Sequence, residues 1–172
     1  LSDHLADGMV YKINSGRDGQ QRLFTYLSPA IRRLHDLEVE AVKENPALLY
    51  GQVESEYRAV LSDAETRAYN TMTRLDIDLP VQLPSGEIRW RRFMSSPRKH
   101  ADGSVVWDGI EWDITDRKSD EEKLQRFTSI LRHSSEVISL ATLDGKMIFL
   151  NETGCRMLGI EPDKVSEFNI RD

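Results

Sequence analysis

Three β-rich runs follow one another with only short turns between them: LDIDLPVQL at Leu75–Leu83, EIRWRRFMSS at Glu87–Ser96 and SVVWDGIEWDIT at Ser104–Thr115. Pro84-Ser85-Gly86 separates the first pair and His100–Gly103 the second. Links this short join antiparallel neighbours, because a parallel crossover needs a dozen residues or more. Upstream, GMVYKI at Gly8–Ile13 and RLFTYLS at Arg22–Ser28 flank a Gly/Asp turn and read as another hairpin. The residues between hairpin and meander are helical in pattern. Ser28-Pro29 reads as a helix start with Ser as N-cap, and Ala30, Ile31, Leu34 and Leu37 form one apolar side. Asn45-Pro46 and Tyr50-Gly51 punctuate the next stretch, and Tyr57, Val60, Leu61, Ala64 and Ala68 then recur at helical spacing. Strands in hairpins with grouped helices predict an α+β fold, a five-stranded antiparallel sheet with helices on one face.

The third strand of the meander runs into a charged stretch without Gly or Pro, DRKSDEEKL, with only Thr115 between it and the strand-ending Asp113-Ile114. That stretch predicts a linker helix, and Leu124, Phe127 and Leu131 form a heptad-like seam along it. Beyond it EVISLATLDGKMIFLNETGCRMLGIEPDKV, at Glu136–Val165, repeats the opening order of strand, Asp-Gly turn, strand and helix start. The domains expected are therefore 1–117 complete, 118–134 as helical linker, and 135–172 as the truncated start of a second copy. Two strands and a helix cannot bury a sheet face alone. The second copy is expected to be either disordered or paired with a neighbouring chain's edge.

Composition excludes several functions. The chain has 172 residues, 39% hydrophobic and 30% charged, enough for one full core. A net charge of −6 argues against a nucleic-acid surface, and the local RWRR at Arg89–Arg92 is too short to reverse that. No apolar run is long enough to span a membrane, so no membrane contact is expected. The single cysteine, Cys155, permits no internal disulfide and suits a reducing compartment, so a cytoplasmic location is expected. The chain begins at Leu1 and is taken as a piece of a larger protein.

Four segments together resemble the PAS family, in particular the PAS modules of bacterial sensor kinases and cyclic-di-nucleotide enzymes. They are YLSPAIRRLHDL at Tyr26–Leu37, LPSGEIRWRR with its Gly-x-x-Arg-Trp hairpin, DGSVVWDGIEWDIT with its terminal Asp-Ile-Thr, and the charged helix behind it. The resemblance covers roughly Asp3–Arg117 as a whole domain and His133–Asp172 as a truncated one. Glu38–Ser55 departs from the family, lacking its Pro-x-Asp before the long helix, so the resemblance does not define the helical wall of a pocket.

Alternation along the last strand puts Trp107, Gly109, Glu111 and Asp113 on one side and Ile110, Trp112 and Ile114 on the other. In the related light-sensing LOV modules the position two before the terminal Asp faces the pocket, which implies that Glu111 points inward. The candidate ligand-facing residues are then Tyr11, Tyr26, Trp90, Arg92, Trp107 and Glu111, and they suit either a polar small ligand or a structural core without one. Ile110, Trp112 and Ile114, with Leu124, Phe127 and Leu131, are the candidate interface, covered by a second subunit or another domain, or else by a helix of the same chain. Thr115, just past the strand end, reads as an N-cap candidate for the linker helix, and the resemblance implies a salt bridge from Asp113 to Arg89 or Arg91. These four would relay a signal, unless the pair is an ordinary surface contact.

No cofactor is expected. GCRMLG at Gly154–Gly159 is superficially similar to the flavin-binding Asn-Cys-Arg-Phe-Leu of LOV modules, but its Cys lies too early in the second copy for flavin adduct chemistry. Haem would need a His on the long helix, which has none; His4, His35 and His100 are expected to be solvated or locally bonded. His133 lacks the activating neighbour of a phosphoacceptor. No metal set, phosphate loop or nucleophile motif occurs, so no catalysis by this chain is expected. The expectation is a sensory PAS module of a bacterial signal-transduction protein. As a homodimer, it would relay a signal through its C-terminal helix to a downstream effector in the same polypeptide. That effector would be a histidine kinase of a two-component system, a diguanylate cyclase or a phosphodiesterase. The alternative is a ligand-free dimerisation or spacer module.

Overall fold

A computed structural model of the chain describes residues 7–171, so His4 and the start of the expected first domain lie outside the described residues. The chain divides into two compact units, Leu1–Lys118 and Ser119–Asp172.

In the first unit β1 (Gly8–Asn14) and β2 (Leu23–Leu27) form the hairpin, and α1 (Ile31–His35), α2 (Val39–Glu44), α3 (Ala47–Tyr50) and α4 (Arg58–Thr71) come after it. Then come β3 (Leu75–Gln82), β4 (Ile88–Lys99) and β5 (Val105–Asp113), and α5 (Thr115–His133) begins after the single residue Ile114. The strands form one antiparallel sheet in the order β2-β1-β5-β4-β3, so the first hairpin lies beside the last strand. Helices α1–α4 pack on one face: Met9, Tyr11, Ile13 and Trp107 of the sheet share a core with Ile31, Leu34, Val42, Leu49 and Ala68. Val53 and Leu61 continue it over Leu79 and Val81 of β3.

Two local expectations change. Ser28 does not cap α1; Ala30 holds that position without a side-chain bond, and Ser28 Oγ instead accepts from the Val10 amide at 3.2 Å, holding the hairpin. Thr115 is not the cap of α5 either. The Ile114 carbonyl accepts the bond from the Lys118 amide, and Asp113 Oδ1 accepts from both the Thr115 amide (2.9 Å) and hydroxyl (2.5 Å).

In the second unit β6 (Ser139–Ala141) pairs with β7 (Met147–Leu150), and α6 (Glu152–Leu158) comes next. The two strands of this unit are ordered and pair with each other. Met147, Leu150, Cys155 and Val165 form a small core, while Leu140 and Ile148 stay exposed. Buried Asn151 organises this piece: its side-chain oxygen accepts from Gly154 N at the start of α6 and from Ile138 N, and its amide donates to Glu136 O at 2.7 Å. Among the described residues no helix is long and apolar enough to cross a membrane.

Candidate functional site

The covered face of the first sheet lines a partly open cavity of about 50 Å³. Its walls are largely apolar, with Met9, Phe24, Phe93 and Trp107 among them, and its polar lining comes from His35, Glu111, Ser95, Tyr11 and a Tyr50–Glu65–Arg22 group. By the ~10–15 Å³ that one water needs, the space holds about three to five water-sized groups.

Register decides what reaches it. β5 pairs with β4 so that Glu111 stands opposite Phe93 and Asp113 opposite Arg91. Directly paired residues share a face, so an inward Glu111 brings Arg91, Phe93 and Ser95 inward and turns Trp90 and Arg92 outward. Two sequence candidates are corrected here. Arg92 lies on the exposed side, in a bidentate pair with Asp76 at 2.8 and 2.9 Å. Trp90 is half-buried away from the cavity, against Tyr57 and beneath the Lys118 ammonium 5.0 Å from its ring centre. Tyr26 is corrected too. A bulge opposite Lys12/Ile13 puts Thr25 and Tyr26 outward together, and Tyr26 is 42% exposed. Tyr11, Trp107 and Glu111 do line the cavity. Trp107 is fixed by its indole N–H donating to Ser15 Oγ at 3.0 Å. Gly109 faces the same way, and the Tyr11 ring lies over it so closely that a Cβ there would fall 2.2 Å from two ring carbons.

The sequence reading missed His35, expected to be solvated or locally bonded, and Gln52. Both are buried. Gln52 Nε2 donates to the His35 carbonyl at 2.8 Å, so it is the Gln52 oxygen that sits 2.6 Å from His35 Nδ1, and Nδ1 is a donor. His35 Nε2 lies 2.6 Å from Glu111 Oε1. One proton therefore lies between Nε2 and Oε1. The signal for His35 was its spacing: four residues after Ile31, it shares the apolar side of α1.

Arg91, 1% exposed, is the hub. Its Nε is 3.3 Å from Glu111 Oε1, its Nη1 2.5 Å from Asp113 Oδ2, and its Nη2 donates to the Leu34 carbonyl. The first two are ion pairs by proximity without hydrogen-bond alignment. With the His35–Glu111 proton counted, Arg91, Asp113 and the pair sum to zero charge, which is what makes a buried cluster of this size tolerable. Arg89 contributes less: it binds Glu87 at 2.8 Å and reaches Asp113 only at 3.9 Å. Thr115 Oγ1, held by Asp113, accepts from the Trp90 amide at 3.0 Å, and Lys118 and Arg117 both reach Asp78, at 3.1 and 3.0 Å. The first turn of α5 is thereby tied to β3, β4 and β5.

Burial works against the Asp113 carboxylate, but the hydroxyl and amide of Thr115 and then the Arg91 guanidinium outweigh it and hold its carboxyl below the usual range. A depressed carboxylate contributes stability above its unfolded value, about 3.9, and loses it as pH falls through the folded value. Acid titration of unfolding free energy is expected to show this loss below about pH 4 in wild type, and a shallower slope there in Asp113→Asn. Burial first, then Glu111, pushes the Tyr11 hydroxyl well above its usual range; burial and then Glu65 do the same to Tyr50.

On the outer face Ile110, Trp112 and Ile114 are half-buried. On α5 Leu124 and Phe127 are exposed and Leu131 half-buried, and neighbouring Ile130 is 60% exposed.

Residues 125–172 match the family model of the PAS domain. The described chain has the PAS fold, shared with solved structures at low sequence identity. A sensory box histidine kinase/response regulator from Burkholderia thailandensis is 22% identical over 73% of this chain and 90% of its own, with a TM-score of 0.57. The N-terminal domain of a diguanylate cyclase with a PAS/PAC sensor from Marinobacter aquaeolei is 17% identical over 64% of this chain and 98% of its own, TM-score 0.54. An RNA-binding Light-Oxygen-Voltage receptor is 19% identical over 76% of this chain and 36% of its own, TM-score 0.58. No curated protein matches the sequence.

Proposed function

We propose that the first unit is a sensory or regulatory module that passes a change in its interior through the start of α5 to an effector in the same polypeptide, by altered helix geometry or altered packing in a homodimer. One observation carries this reading: a continuous polar chain runs from cavity-lining Glu111 through Arg91 to Asp113 and Thr115, the first residue of α5. The guanidinium is planar and rigid, so a change at its Glu111 edge is felt at its Asp113 edge. Asp113 grips the end of β5 and the start of α5 together. A few kcal/mol of differential interaction at such a joint is enough to bias a two-state output. The histidine kinase and diguanylate cyclase among the similar structures support an effector of one of those two kinds, a histidine kinase or a cyclic-di-GMP enzyme. The lone cysteine supports a cytoplasmic setting.

In the full-length parent, Asp113→Ala is expected to uncouple effector output from the stimulus while the melting temperature of the first unit falls only modestly. A large loss of melting temperature with normal coupling would contradict this. The spacer reading has its own observation, the exposed Leu124, Phe127 and Ile130 of α5, which suit the packing of two copies. It predicts the opposite pattern: output unchanged in Asp113→Ala and lost in Leu124→Glu/Phe127→Glu.

A further inference from the structure

Glu111 is fully buried, and the Arg91 network uses only one of its oxygens. Oε1 receives His35 and Arg91, while Oε2 has no hydrogen-bond partner among the described residues. Glu111 lines the cavity, together with the aromatic faces of Phe24, Phe93 and Trp107. A buried carboxylate oxygen without a donor is strongly unfavourable, so whatever fills this space gains most by donating to it. The surrounding cluster is already neutral with its one bridging proton, so an added cation would leave uncompensated charge; a neutral donor would not.

We propose that the cavity takes a small, neutral, flat molecule of about three to five non-hydrogen atoms carrying one N–H or O–H group, which donates to Glu111 Oε2 while its apolar body lies among the aromatic walls. Resting on the sensory role proposed for the first unit, the inference also names what the relay reads. A donor on Oε2 fixes the carboxyl group whose other oxygen lies 3.3 Å from Arg91 Nε, so occupancy is felt at the Glu111 edge of the guanidinium.

Pyrrole and furan form the test pair, being five-membered rings of nearly equal size of which only pyrrole has a donor. Each is titrated into the 172-residue chain and followed by NMR of the Trp107 indole and the Thr115 and Lys118 amides. Pyrrole is expected to bind at least about tenfold more tightly than furan, since a site built around a polar group rejects the analogue that leaves it unpaired. Contacts from pyrrole to the Trp107 and Phe93 rings should accompany binding. Equal affinity for the two rings, or binding of neither, overturns the proposal. Tighter pyrrole binding with unmoved Thr115 and Lys118 amides upholds the ligand class and contradicts the relay. Binding of neither ring while Asp113→Ala still uncouples output overturns the ligand class and leaves the relay standing. The two titrations use the unsubstituted chain, so misfolding cannot mimic their results.

Discussion

Arg91→Ala is expected to destabilise the first unit by about 3–5 kcal/mol, the largest effect of any single substitution considered. The residue is 1% exposed, and its side chain faces two carboxylates and the Leu34 carbonyl. Removing it leaves buried Glu111 and half-buried Asp113 without their shared cation, and strands the Leu34 carbonyl of α1. Against a typical domain stability of about 5–15 kcal/mol, this is enough to leave much of the protein unfolded at 37 °C. Arg91→Lys should recover less than half of the loss, because a single ammonium cannot meet three acceptors set around a planar fork. Urea unfolding followed by tryptophan fluorescence measures both. The contrast is Arg92→Ala one residue along, on the exposed face, whose urea midpoint is expected to stay close to wild type.

Gly109→Leu is expected to be the second most damaging change, through packing and not charge. The Tyr11 ring occupies the space directly above Gly109, its register partner on β1. A side chain at 109 must displace the ring into the cavity or push β1 from β5. Gly109→Ala alone should cost about 1–3 kcal/mol, and Leu more. Shortening the ring should relieve the clash: Gly109→Ala with Tyr11→Val is expected to be less damaging than the sum of the two single changes by about 0.5–3 kcal/mol. Additive losses in urea midpoint would show that the two side chains do not compete for this space. Gly109→Leu is consequently a poor way to fill the pocket and read signalling alone, because it disturbs the sheet as well.

Much of this arrangement was legible in the sequence, for identifiable reasons. Turn residues at Pro84-Ser85-Gly86 and His100–Gly103 fix an antiparallel meander, and alternation along β5 puts Glu111 and Asp113 on one face. From that point the pairing of Arg91 with Asp113 is a short step. What alternation within one strand does not give is the register with the next. Trp90 and Arg92 were placed inward because an aromatic in a strand suggests core, yet pairing Asp113 with Arg91 already requires them to face out. Tyr26 was misplaced by a bulge, a one-residue insertion that leaves no mark in the hydrophobic pattern. His35 and Gln52 were missed because their role depends on contacts across 76 and 17 residues of sequence, to Glu111 and to each other. The second unit was underestimated for a different reason. Asn151 satisfies amides and carbonyls that a bare hairpin would leave to solvent, and a helix and the turn after it supply Cys155 and Val165 for a core that two strands lack.

The central claim is that the cavity and the start of α5 are joined through Arg91. Amide hydrogen exchange in Glu111→Gln tests it most directly, because the change is confined to the cavity side of the joint and keeps the size of the side chain. Faster exchange is predicted at Thr115 and Lys118, whose amides bond Asp113 and Ile114, with the central β4–β5 amides still protected. Exchange altered only at His35, Gln52 and the residues touching Glu111, with Thr115 and Lys118 as slow as in wild type, would contradict the account.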